Sequence, residues 1–175
     1  LAYKAIYFEQ KIMKEIVGSQ DQIATSIGGF NKIIFKKKDK FQVKKISNAK
    51  NIKNLEKNLL LIYTGINRTA HKIASTYVTK LSNVKKKYIN SLCEHVTEGE
   101  KLLNSGKIDE FGKLLDNAWY LKKKLSSSIS NKKIDDLYNV AIKNGALGGK
   151  LLGAGGGGFL LIYMKNEYRK SFFKD

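Results

Sequence analysis

Apolar residues in the first sixteen positions recur mostly at spacings of three and four: Leu1, Ala5, Phe8, Ile12, Met13 and Ile16. That period predicts an amphipathic helix over 1–16, with Gly18 as its C-terminal stop. A polar stretch, Ser19-Gln20-Asp21-Gln22, leads into small residues closing on Gly28-Gly29. Two short runs, FNKIIF at 30–35 and KFQVKKI at 40–46, carry strand-forming residues. They predict a β-hairpin with a solvated lysine tip at Lys36–Lys38. Positions 47–57 are polar and read as a connector. LLLIY at 59–63 suits a buried strand broken by Thr64-Gly65. Helical spacing then returns. Thr69 caps a helix with Ile73, Tyr77, Val78 and Leu81 on one face, continued by Val84, Tyr88, Leu92, Val96 and Leu103. A further helix is predicted from Lys107 to Leu125, with Ile108, Phe111, Leu115, Trp119 and Leu125 inward. After a loop at 126–128, Ser130 caps a last helix with Ile134, Leu137, Tyr138 and Ala141 inward, ended by Gly145. A glycine loop and a strand, Phe159 to Met164, follow. Helices and strands mix without regular alternation, so the expected fold class is α+β.

Composition changes this picture little. The 175 residues are 42% hydrophobic, enough for a real core. No run of eighteen apolar residues predicts a membrane span, and the N-terminus does not look like a signal peptide. Cys93 is the single cysteine, so no internal disulfide forms, which fits a reducing cytoplasm; it reads as a small helix hydrophobe. His71 and His95 stand apart from any ligand cluster and read as structural, and Trp119 reads as core. The net charge of +18 points toward an anionic partner. Against nucleic acid, nearly all of that charge is lysine spread along the chain. Arg68 and Arg169 are the only arginines, and arginine is the usual reader of bases and phosphates. No nucleic-acid or membrane partner is therefore expected.

The stretch with most chemistry is KLLGAGGGGFLLIY, where five of the six residues from 153 to 158 are glycine. The familiar glycine phosphate loops run from strand to helix, and a P-loop ends in Lys-Ser/Thr. Here the order reads as helix to strand, and Lys150 precedes the glycines. One or two glycines would make a tight turn. Four in a row cost roughly 0.5–1 kcal/mol each relative to alanine. That cost implies that a ligand or another backbone comes too close for a Cβ. Asp21 reads equally as an N-cap for a helix starting near Gln22 or as a carboxylate that accepts or orients a proton.

GALGGKLLGAGGGGF, residues 145–159, resembles the third conserved motif of the GHMP small-molecule kinases. The segments VGSQDQIATSIGGFNKIIF, LLLIYTGINRTA and LLDNAWYLKKKLSSSISNKKIDDLY resemble its heptose-phosphate kinase branch. The resemblance implies a two-domain α+β fold, with 1–54 the end of an N-terminal domain and 55–175 a C-terminal domain. It implies ATP, Mg²⁺ and a sugar-phosphate substrate bound between domains. The expected reaction is phosphorylation of the anomeric hydroxyl of D-glycero-D-manno-heptose 7-phosphate in the cytoplasm, feeding nucleotide-heptose and surface polysaccharide synthesis. A galactose- or fucose-type sugar kinase and a non-catalytic anion-binding member are the alternatives, and a homodimer is left open. Position by position, Asp21 falls at the catalytic aspartate and Glu9 near a magnesium-binding glutamate. Substrate contacts are expected from Gln20, Arg68, Gly153, Gly155, Gly156 and Gly157. The family's glycine-serine ATP loop has no match here, so the 175 residues read as a fragment, cut at both ends and inactive alone.

Overall fold

The computed structural model describes residues 1–16, 18–37, 40–67, 73 and 83–173. They form two compact units, Leu1–Asn48 and Ala49–Asp175. Residues 49–54, expected with the first segment, therefore pack in the second.

In the first unit, helix α1 (Ala2–Tyr7) continues as a π-helical segment, Phe8–Ile12. The Met13 amide donates to the Phe8 carbonyl at 2.9 Å, the i→i+5 bond of a π turn. The chain then leaves the helix at Lys14, whose φ is 55°. The helix expected to reach Ile16 thus ends early, at Ile12. Widening the turn breaks the three-and-four spacing, and Leu1, Phe8, Ile12 and Met13 are exposed while Ala2 is buried. Helix α2 (Gln20–Ile27) follows, with Ile23 fully buried. The hairpin is as expected to within a residue: β1 (Asn31–Phe35) pairs antiparallel with β2 (Phe41–Lys45), placing Ile33 opposite Val43. The Tyr3 ring packs on Phe41 at 4.9 Å.

The second unit begins with helix α3 (Ala49–Lys57), where the sequence read a connector. Its apolar signal is only Ile52 and Leu55. Leu55 is buried with Leu103, Ile108 and Tyr163, and the Asn51 amide donates to the Leu103 carbonyl at 2.6 Å. Strand β3 (Leu59–Tyr63) is present, but Leu61 and Tyr63 are exposed because side chains alternate between faces and Leu60 and Ile62 take the face on the main core. Helix α4 (Asn83–Ser105) carries Val96 outward, so it is not the inward residue expected, and Cys93 on the same helix is exposed. The expected start of that helical run, Thr69 to Leu81, lies outside the described residues apart from Ile73. Helix α5 (Ile108–Lys123) buries Trp119, and a 3₁₀ turn at Ser127–Ile129 leads to helix α6 (Lys132–Lys143). Asn131, not Ser130, caps α6: its side chain accepts from the Ile134 amide at 3.1 Å. Ser130 instead donates to Asp135 at 2.9 Å.

After Gly145 comes a strand the sequence did not predict, β4 (Ala146–Leu151). Its ALGGKL sequence has two glycines and a lysine, a poor strand signal. Those glycines are what let it pack. A Cβ on Gly148 would overlap the Gly112 carbonyl of α5, and one on Gly149 would overlap the Leu161 carbonyl of the next strand. That strand, β5 (Phe159–Met164), runs antiparallel between β3 and β4. Leu151, Leu160, Ile162 and Met164 join Trp119, Ile129 and Ile134 in the main core. Helix α7 (Asn166–Phe172) closes the unit, and the Arg169 guanidinium donates to the Lys57 and Leu59 carbonyls. Among the described residues no helix is long and apolar enough to cross a membrane.

One surface network ties the start of α5 to the end of β5. Asp109 accepts from Lys165 at 2.7 Å and from the Tyr163 hydroxyl at 2.8 Å. The Lys165 hydrogen bond, aided by Tyr163, outweighs partial burial and holds the Asp109 carboxyl below its ordinary value of 3.8. A carboxyl depressed in the folded state adds stability above its unfolded pKa and loses it as pH falls through the folded one. Asp109→Asn is therefore expected to flatten the fall in thermal midpoint below about pH 4. Scanning calorimetry at pH 7 and pH 3 measures this. An unchanged acid limb would show that the network adds nothing.

Candidate active site

Two groups of sequence-predicted residues are described, one in each unit. In the first unit, Asp21 lies in the first turn of α2, with Ser19 as the N-cap residue. The N-cap reading of Asp21 therefore gives way: the helix starts at Gln20, before Asp21. Asp21 is exposed, and its backbone carbonyl accepts from the Thr25 hydroxyl at 2.8 Å. Its carboxylate makes no hydrogen bond or ion pair among the described residues. Its place in the first turn of α2 sets it beside the exposed amides of that helix end. Gln20 beside it is exposed as well.

Glu9 sits in the π-helical segment and is half-buried. Its carboxylate accepts a hydrogen bond from the Gln22 side chain. Next to it, the Gln10 amide donates to the Ser19 hydroxyl at 3.2 Å. Two side-chain bonds thus tie the π segment to the start of α2, bringing Glu9 to the same helix end as Asp21. Gln22 and Gln10 are residues that sequence reasoning missed. The signal available was the pairing of Glu9-Gln10 with Gln20-Asp21-Gln22 across a short loop. Among the described residues no group of three His, Cys, Asp or Glu side chains could hold a metal ion. A single carboxylate is nonetheless a fitting donor for Mg²⁺, which takes one or two carboxylates together with phosphate oxygens and water.

In the second unit, the glycine loop joins β4 to β5. The expected helix-to-strand order is corrected: a strand enters and a strand leaves. Left-handed φ values occur at Gly153 (65°), Gly155 (116°), Gly156 (76°) and Gly158 (92°), so a turn alone already calls for several of these glycines. The close approach expected of the loop is also present, and this chain's own backbone makes part of it. A Cβ on Gly155 would lie 2.8 Å from Ile129 Cα, and one on Gly157 would lie 2.7 Å from the Ile66 carbonyl. A Cβ on Gly156 would meet the Ile73 side chain at 2.9 Å. Hydrogen bonds fix these approaches. The Gly156 amide donates to Ile129 at 2.8 Å and the Gly158 amide to Ile66 at 3.0 Å. The buried Thr64 hydroxyl donates to the Gly158 carbonyl at 2.8 Å. Lys122, on α5, donates to the Gly153 carbonyl at 2.5 Å and anchors the loop's first turn.

Under the loop, the Tyr138 hydroxyl donates to Asp116 at 2.5 Å. Burial, then the Asp116 carboxylate, pushes that phenol well above its ordinary value, so it stays a donor. Burial pushes the Lys150 ammonium below its ordinary value. Arg68, expected to meet the substrate, lies outside the described residues, as does His71. The His95 Nδ1 lies 2.7 Å from the Ser91 carbonyl of its own helix.

The chain is similar to known proteins. Residues 100–174 match the family model described as GHMP kinases C terminal. Over 99% of its length the chain is 30% identical to a D-glycero-alpha-D-manno-heptose 7-phosphate kinase from Campylobacter jejuni, covering 52% of that protein. Over 66% of its length it is 36% identical to a bifunctional fucokinase/GDP-fucose pyrophosphorylase from Arabidopsis thaliana, covering 11% of that protein. Among solved structures, mevalonate kinase from L. major superposes with a TM-score of 0.72 at 20% identity, over 89% of this chain and 47% of that one. The chain thus spans about half the length of the first relative and far less of the second. The fold is the α+β fold of these kinases, and residues 100–174 are similar to the C-terminal domain of GHMP kinases.

Proposed function

We propose that the protein bearing this chain is an ATP-dependent sugar kinase that phosphorylates the anomeric hydroxyl of D-glycero-D-manno-heptose 7-phosphate. Its product would feed nucleotide-activated heptose and surface polysaccharide synthesis in the cytoplasm. The observation that carries this reading is the likeness to the C. jejuni heptose 7-phosphate kinase along 99% of the chain.

Phosphoryl transfer needs little covalent help from a protein: positioning and charge stabilisation do most of the work. Asp21, exposed and open, accepts or orients the proton of the attacking hydroxyl. Glu9 is the carboxylate that would hold Mg²⁺, which when bound neutralises charge on the nucleotide phosphates. Gln20 contacts the sugar, and Arg68 offers a fork of donors to the substrate's own phosphate. The backbone at Gly153, Gly155, Gly156 and Gly157 forms a wall without side chains against which the substrate rests. The likeness to a fucokinase favours a second reading, transfer to the anomeric hydroxyl of a fucose-type sugar.

A substrate panel separates the two. The full-length protein with ATP is expected to turn over heptose 7-phosphate with a kcat/KM at least 100-fold above that for L-fucose or galactose. The reverse order would replace the first reading with the second.

A further inference from the structure

We propose that Gln22 is a positioning residue that holds the Glu9 carboxylate in the orientation a divalent cation requires. The inference rests on the reading of Glu9 as the magnesium carboxylate.

Gln22 is 8% exposed, in the first turn of α2 directly after Asp21. Its Nε2 donates to Glu9 Oε2, thirteen residues away in sequence. A carboxylate can only accept, so the amide nitrogen must face Glu9 and Oε1 must face away. That Oε1 is buried and has no hydrogen-bond partner among the described residues. A stranded acceptor costs stability. Methionine or leucine would fill the same space without that cost. The retained amide is therefore explained by what its nitrogen does, which is to grip Glu9.

The grip has the form a hard-cation site needs. One oxygen of Glu9 is fixed by a neutral donor, which leaves the carboxylate charge intact. Oε1 of Glu9 makes no hydrogen bond or ion pair among the described residues. Groups that orient a metal ligand in this way typically change metal affinity 10–100-fold when removed. The π-helical turn adds to the case: such turns are frequent at functional sites, and this one carries Glu9. The neighbouring bond from Gln10 to Ser19 holds the same segment against α2.

The test uses the full-length protein saturated with a non-hydrolysable ATP analogue, with Mn²⁺ as the probe. Calorimetric titration of Mn²⁺ into Gln22→Met is expected to show at least tenfold weaker binding. The Mg²⁺ concentration for half-maximal rate should rise in step, with the sugar KM within twofold of wild type and the thermal midpoint unchanged or higher. Gln22→Leu removes the donor without adding a charge, so it should weaken Mn²⁺ binding to a similar degree at neutral pH. It also serves if the methionine variant does not fold. Wild-type Mn²⁺ affinity in the Gln22 variants, with affinity lost in Glu9→Gln, would overturn the positioning role and leave the Glu9 reading standing. Wild-type affinity in Glu9→Gln would overturn both.

Discussion

Asp21→Asn in the full-length protein is expected to lower phosphate transfer by roughly 10²–10⁴-fold, with the thermal midpoint nearly unchanged. The two readouts distinguish the roles open to this residue. Asparagine keeps the size and hydrogen-bonding capacity of aspartate and loses only the charge and the ability to take a proton. If Asp21 serves only the N-terminus of α2, the change costs about 0.3–1 kcal/mol of stability and leaves the rate alone. If it accepts or orients the hydroxyl proton, the rate collapses and the fold stays. The geometry favours the second result, because the carboxylate is exposed and Ser19, not Asp21, is the N-cap residue. A fully active Asp21→Asn protein would remove the catalytic assignment.

The largest effect on stability is expected from Gly148→Ala. A single methyl there would overlap the Gly112 carbonyl of α5 and sit 2.8 Å from Asp116 Cβ. Neither neighbour is the free end of a flexible side chain. β4 and α5 must separate, which opens the contact beneath the main core. Overpacking of this kind costs about 3 kcal/mol, or roughly 10 °C in thermal midpoint for a unit of this size. Gly112→Ala should behave similarly, since its Cβ would lie 2.5 Å from the buried Tyr163 ring. Gly18→Ala is the control: a Cβ there meets nothing within 4 Å among the described residues, and its φ is not in the left-handed region. Its thermal midpoint should stay within about 1–2 °C of wild type. Equal midpoints for Gly148→Ala and Gly18→Ala would mean that β4 and α5 do not pack closely.

How much of this was legible depended on whether a residue's neighbours were local. The hairpin and helices α5 and α6 followed from periodicity, because each buries one face of its own residues. The strand β4 was hidden because its sequence preference is poor. Gly148 and Gly149 are required by the Gly112 and Leu161 carbonyls, partners set only by the fold. Missing that strand also misplaced the glycine loop at a helix-to-strand junction. Helix α3 was missed for a related reason: Leu55 is its one buried residue, and the contacts that bury it lie some fifty or more residues further along. In the candidate site, Asp21 and Glu9 came from motif position. The bond from Gln22 to Glu9 did not, because a π turn shifts which side chains share a face.

The central claim is transfer of a phosphoryl group to the anomeric position of a sugar that already carries a phosphate. ³¹P NMR of the product formed by the full-length protein from ATP and heptose 7-phosphate tests it most directly. The account predicts one new phosphate resonance, split by the anomeric proton, beside the retained signal of the 7-phosphate. ADP release without that resonance, or a new phosphate on any other hydroxyl, would contradict it.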